Sequence, residues 1–237
     1  MPNQWFRFKQ FLIKQDKTAM KVGTDGVLLG AWSSLSSPCQ YALDIGTGTG
    51  LLALMIAQRT SDTLIDAIEI DRSAASQARE NIQNSKWKDR IMIHQASLQD
   101  FTKNKTEKYD LIICNPPFFT KSKKTPSIER DLARHDSELN LIELFHYSSL
   151  MISEPGKFSL IVPAGKKEET FDLASENSFH CHRITKVLPT PLKKVKRLLL
   201  EFSKVPASLK EDELIIEEFG RHGYSKEYRE LTSDFYL

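Results

Sequence analysis

Cysteine is scarce in this chain, with only Cys39, Cys114 and Cys181 among 237 residues. Odd in number and far apart, they argue against a disulfide framework and suit a reducing compartment, so a cytoplasmic location is expected. Long hydrophobic runs are missing too. None approaches the roughly 20 residues that a membrane-spanning helix needs, and no membrane partner is expected. The first residues, MPNQWFRFKQF, are polar and basic without an apolar stretch, which argues against a secretory signal. Neither sign of charge is in excess: 33 Lys and Arg stand against 31 Asp and Glu, so the net +2 does not announce nucleic acid. Internal repeats and low-complexity tracts are absent. So are two nucleotide-binding patterns. There is no G-x-x-x-x-G-K-[ST] run, and a G-x-G-x-x-G reading from Gly46 fails because its third glycine position is Leu51.

What is present suits one large domain or one domain with a small appendage. Hydrophobic residues at 40% supply a sizeable core. Apolar β-type runs at 41–45, 64–70, 91–94, 109–114, 157–162 and 195–201 alternate with helical patterns at 51–59, 73–84, 138–152 and 166–176. Ser73 is the expected N-cap of the second helix. This alternation predicts a doubly wound α/β sheet, whose ligands sit outside the carboxyl ends of the strands where strand order reverses. The predicted organisation is an extension at 1–35, a main domain at 36–205 and an appendage at 206–237.

Charge is unevenly spread. Residues 1–24 carry a local +4 and residues 185–205 a local +5, whereas 61–100 hold seven acids against five bases. Basic ends around an acidic middle suit contact with phosphates.

The segment Asp44-Ile45-Gly46-Thr47-Gly48-Thr49-Gly50 falls between the first strand of this series and the helix after it. Alternate glycines let the backbone turn sharply and let a ligand approach without meeting side chains. Glu69 closes the next strand, about 20 residues on, where a carboxylate can accept both hydroxyls of a ribose. Ile70 beside it is placed to pack on a flat ring. A second segment, Asn115-Pro116-Pro117-Phe118, follows the strand at 109–114. Two prolines fix φ and remove two donors, leaving a stiff loop rich in acceptors. The Asn115 side-chain oxygen and the Pro116 carbonyl suit the two hydrogens of an exocyclic base amine, and Phe118 offers a face for a flipped base.

The first segment resembles the D-x-G-x-G-x-G loop of class I methyltransferases, and the second resembles the (D/N/S)-P-P-(Y/F/W) motif of amino-methyltransferases. With the stretch Ala19–Trp32, the IEID run and the tail YSKEYRELTSDFYL, the chain is similar over most of its length to the tRNA1(Val) adenine-N6 methyltransferases. The resemblance implies a Rossmann-like class I fold with an antiparallel C-terminal strand, S-adenosyl-L-methionine as cofactor and tRNA as partner. The implied reaction is methylation of adenine N6, at position 37 of a valine tRNA. It further implies that Asp44, Gly46, Gly48, Gly50, Glu69 and Ile70 hold the cofactor under a lid of Lys21, Thr24 and Asp25, with Thr24 also capping the following helix. Ser97 stands where many relatives have an aspartate toward the cofactor's adenine, with Asp100 three residues on. Asn115, Pro116, Pro117 and Phe118 form the expected catalytic loop.

Lys121, Lys123, Lys124, Arg130, Arg134 and His135 follow that loop and are expected to meet RNA phosphates. No metal is expected: His180-Cys181-His182 has no second Cys/His pair at ligand spacing, and alternate residues of a strand face opposite sides. The alternatives left open are methylation of guanine N2 or of a protein glutamine amide and, more remotely, a non-catalytic RNA-binding module.

Overall fold

The computed structural model describes residues 3–35, 38–103, 105–117 and 140–237. An eight-stranded sheet forms its centre. In chain order its strands are β3 (Tyr41–Ile45), β4 (Leu64–Glu69), β5 (Ile91–Gln95), β6 (Tyr109–Cys114), β7 (Ile152–Pro163), β8 (His180–Leu188), β9 (Arg197–Ser203) and β10 (Lys210–Ile215). Their spatial order is β10-β8-β9-β7-β6-β3-β4-β5. From β5 to β7 all neighbours are parallel, β9 runs antiparallel to both β7 and β8, and β10 pairs parallel with β8. The fold is therefore a doubly wound, mostly parallel sheet with an antiparallel strand near its C-terminal side, as the alternation and the resemblance imply.

The central strands are buried on both faces, which is why they read as near-continuous apolar runs. Alternate residues serve two cores. Ala42, Leu111 and Ile113 join one with α2 (Leu51–Arg59) and α1 (Thr24–Trp32), while Leu43, Ile45, Ile112 and Cys114 join the other with Phe145, Phe158 and Phe202. Residues Leu51 to Ala57 are all buried, because α2 lies between the sheet and α1. Gly30 permits that closeness: a Cβ there would lie 2.6 Å from Met55 Sδ. By contrast α3 (Arg72–Gln83) is amphipathic, with Ala74, Ala78 and Ile82 turned inward at helical spacing. Its N-cap is Asp71, whose side chain accepts from Ala74 N at 2.7 Å, and not Ser73. Both residue types can cap, but α3 already begins at Arg72, so Asp71 takes the N-cap place and Ser73 falls inside the first turn.

The remaining elements are a small hairpin, β1 (Trp5–Arg7) with β2 (Leu12–Lys14), and the helices α4 (Leu98–Lys103), α5 (Leu141–Met151), α6 (Lys167–Glu176) and α7 (Lys226–Thr232). The hairpin is bound to the C-terminal segment and to α3. Lys9 N donates to Phe235 O, Phe8 packs on Phe11 and Tyr236, and the Asn81 carboxamide on α3 bridges Lys14 O and Thr49 O at 2.8 Å each. Asn81 thus connects the hairpin to the glycine loop. The chain runs outward from β3 through β4 to β5 and then returns to β6 on the other side of β3. The loops leaving β3 and β6 face each other at this reversal, where an open α/β sheet binds its ligand.

Candidate cofactor and methyl-transfer site

The loop after β3 turns through three glycines in left-handed conformation, with φ of 70° at Gly46, 57° at Gly48 and 84° at Gly50. Gly46 N and Thr47 N both donate to Ile68 O, which pins the loop to the end of β4. Cβ atoms built on Gly46 and Gly48 would meet nothing within 4 Å, whereas one on Gly50 would touch Ala78 and Ile82 at ordinary packing distance. The first two glycines therefore border open space, and the third serves helix packing.

Gly50 is the N-cap of α2 and has no side chain with which to cap it. Asp44 does that work from β3. Its Oδ2 accepts from Ala53 N at 3.1 Å and from Thr47 Oγ1 at 2.5 Å. Its Oδ1 is fully buried and has no hydrogen-bond partner among the described residues. Burial raises the Asp44 carboxyl from its ordinary 3.8 to about 7, and Glu69 nearby adds to the rise against the two hydrogen bonds. A buried acceptor without a donor is costly, and a cationic amine that donated to Oδ1 would remove the cost. Glu69, at the end of β4, accepts from Gly48 N and Asp71 N at 2.9 Å each. Its carboxyl is also pushed up, chiefly by burial. Ile70 next to it is 51% exposed, an apolar surface presented at the strand end.

Opposite the glycine loop, β6 ends at Cys114 and delivers Asn115, half-buried, followed by Pro116, buried. The first turn of α1 lies against this residue: a Cβ on Gly26 would come within 3.8 Å of Asn115 Nδ2 and 3.0 Å of Leu51 Cδ2. Gly26 is thus a wall of the site that sequence reasoning passes over, and its only signal is a glycine inside a helix. Asp25 beside it pairs with Arg197 at the start of β9, Nε to Oδ2 at 2.7 Å. That pairing spans 172 residues and has no trace in the sequence.

The expected lid residues are all near the start of α1, with different partners. Lys21 donates to Gln15 O, while Thr24 is exposed at the first helical position. Thr24 does not cap α1: the N-cap is Gly23, with no side-chain bond. Ser97 caps α4 instead of standing free, exchanging hydrogen bonds with Asp100, whose side chain it donates to at 2.8 Å and whose N–H it accepts at 3.1 Å. Phe118 and the six residues Lys121, Lys123, Lys124, Arg130, Arg134 and His135 lie outside the described residues. On β8, His182 is bound between Lys157 Nζ and Val205 O, a structural role.

Comparison with known proteins agrees with this geometry. The Methyltransferase small domain family matches residues 26–140. A tRNA1(Val) (adenine(37)-N6)-methyltransferase of Flavobacterium psychrophilum is 49% identical over 98% of this chain and 99% of its own length. Its namesake from Parabacteroides distasonis is 45% identical over 100% and 99%. Among solved structures, a predicted O-methyltransferase from Agrobacterium tumefaciens superposes with a TM-score of 0.68 at 21% identity, covering 89% of this chain and 96% of that one. That likeness shows the shared fold.

Proposed function

The chain belongs to the tRNA1(Val) (adenine(37)-N6)-methyltransferase family, and from that premise we propose which of its residues carry the reaction. It is an S-adenosylmethionine-dependent enzyme that methylates N6 of an adenine in tRNA. We further assign the target as position 37 of a valine tRNA, as in the names of these relatives. The observation that carries the site reading is the meeting of two loops at one sheet edge: the open glycine turn over Asp44 and the Asn115 loop walled by Gly26.

When bound, S-adenosylmethionine supplies an electrophilic methyl group on a sulfonium centre. The residues present fit it. The unpartnered Asp44 Oδ1 suits its ammonium, the space over Gly46 and Gly48 suits its amino-acid chain, and Glu69 and Ile70 suit its ribose and adenine. Asn115 and the Pro116 carbonyl accept the two hydrogens of the target amine. An exocyclic adenine amine is a poor nucleophile because its lone pair is delocalised into the ring, and these acceptors raise the electron density on nitrogen. After transfer the ammonium product is strongly acidic, so its proton leaves to solvent without a dedicated base. Phe118, Pro117 and the basic residues 121–135 are proposed to hold the flipped base and its flanking phosphates.

The test is transfer of a tritiated methyl group into tRNA from cells lacking the enzyme, followed by nucleoside mass spectrometry. N6-methyladenosine at position 37 is the expected product. Methylated guanine, or label in protein glutamine, overturns the assignment. A second expectation concerns Glu69→Ala. Loss of a hydrogen bond from a charged group weakens S-adenosylhomocysteine binding by about 1.5–3 kcal/mol in calorimetric titration. Because Glu69 also holds Gly48 N, part of that loss reflects a loosened loop. Unchanged affinity in a folded variant would put the ribose elsewhere.

A further inference from the structure

Between β8 and β9 the chain makes a tight hairpin, residues 189–196, that belongs to neither loop of the proposed site. β8 runs in the same direction as β7, since both are antiparallel to β9, so its end at Leu188 reaches the carboxyl edge of the sheet. β9 returns from that edge at Arg197, opposite Pro163 at the end of β7. The turn is held by its own backbone, Lys193 N donating to Thr190 O at 3.1 Å and Lys196 N to Val187 O at 3.0 Å. At its tip Leu192 is 97% exposed, more than any other large apolar side chain among the described residues. Lys193, Lys194 and Lys196 surround it, all exposed. Among the described residues none of the three forms an ion pair, whereas Lys166 and Lys186 are taken up by Glu169 and Glu211.

A second exposed apolar residue stands on the neighbouring loop. Phe219 is 73% exposed, and its loop is tied to the hairpin by Glu217 N donating to Pro189 O at 3.0 Å. Glu218 is the exposed acid there, offset by exposed Arg221, while Glu217 accepts from His222 N. The base of the hairpin connects to the transfer site through the Arg197–Asp25 pair, because Gly26, next in the chain, lies against Asn115.

Exposed apolar tips among unpaired lysines do not suit a protein interface, where lysine is depleted. A second copy of this chain would bring the same cluster of cations and be repelled. The combination suits single-stranded RNA, with lysines for phosphates and an apolar or aromatic face for an unstacked base or ribose. We propose that the hairpin of residues 189–196, with Phe219 beside it, is a docking arm for the RNA strand flanking the target base. This rests on the methyltransferase reading above, and it adds an RNA-facing surface separate from the Asn115 loop.

The experiment compares the wild type with Lys193→Ala/Lys194→Ala and with Leu192→Ser, all surface changes. The readouts are tRNA binding across a salt series, methyl-transfer kinetics and calorimetric titration with S-adenosylhomocysteine. The double variant should lower the slope of log affinity against log salt by roughly 0.7–0.9 for each phosphate no longer neutralised, and raise KM for tRNA on the order of tenfold. kcat at saturating tRNA and cofactor affinity should stay level. Leu192→Ser should raise KM without altering the slope. If both variants methylate tRNA with wild-type KM and slope, the arm does not touch RNA, and the methyltransferase reading stands without it. If the wild type transfers no methyl group to tRNA, the functional reading itself fails, and the arm with it.

Discussion

Replacing Asn115 by alanine is expected to lower kcat for methyl transfer by about 10²–10³-fold while leaving cofactor affinity nearly unchanged, by analogy with removal of one oxyanion-hole group. The proposed role of the carboxamide oxygen is to accept a hydrogen of the amine while positive charge develops on nitrogen. That interaction strengthens on the way to the transition state, so its loss falls on kcat more than on KM. This residue and the proposed cofactor contacts come from neighbouring but different strands. Asn115 sits at the end of β6 against the first turn of α1, whereas Asp44 and Glu69 belong to β3 and β4. Asn115→Asp retains an acceptor oxygen and should recover much of the rate, which a merely structural role would not predict. Single-turnover kinetics on the two variants provide the comparison. Near-normal turnover by a folded Asn115→Ala protein would defeat the assignment, because Pro116 and Pro117 have no side-chain acceptor.

The contrast between β3 and β1 shows which parts of this fold can be read from sequence. β3 and β6 are largely buried strands, so their runs are apolar but for Asp44 and Asp110 and end sharply at Gly46 and Asn115. Both chemical motifs follow from that punctuation, and so does Glu69, the last residue of β4. β1 and β2 have three residues each in a basic segment, too short for a period of two to register, and their stability comes from Asn81 and the C-terminal aromatics. The caps of α1 and α3 differ from expectation for a similar reason. Thr24 and Ser73 have the right chemistry, but each helix begins early enough to include them, which leaves Gly23 and Asp71 at the N-cap places. The Asp25–Arg197 pair and the path of the hairpin at residues 189–196 depend on sheet order, which composition does not encode. Sequence shows the lysines of that hairpin; only topology brings them to the edge that holds Asn115.

Affinity for S-adenosylhomocysteine is expected to rise with pH up to about 7 and then level off, with Asp44 as the cause. In the free protein burial raises its carboxyl to about 7, so below that pH the group is mostly protonated. A ligand ammonium beside Oδ1 favours the charged form, so binding below pH 7 expels a proton, and affinity falls up to about tenfold for each unit of acidification. Glu69 is the other carboxyl at this site whose pKa is raised, while the buried Cys114 thiol is pushed well above its usual range and stays neutral. Glu69→Gln should therefore keep most of the slope, and Asp44→Asn should abolish it. Asparagine can still accept from Thr47 and Ala53, so the fold survives the exchange, but the ammonium loses a charged partner worth about 1.5–3 kcal/mol. The effect on stability has the opposite sign. With a folded pKa near 7 and an unfolded value near 3.8, folded Asp44 keeps a proton across that window that the unfolded chain has lost, so stability declines as pH rises through it. Asp44→Asn has no such decline, so its melting temperature should gain on that of the wild type from pH 5 to about pH 7 and the margin should then level off. Calorimetry in two buffers of different ionisation enthalpy measures the expelled proton, and thermal unfolding across pH measures the margin. A flat affinity profile in the wild type, or a slope that persists in Asp44→Asn, would remove Asp44 from the cofactor's ammonium.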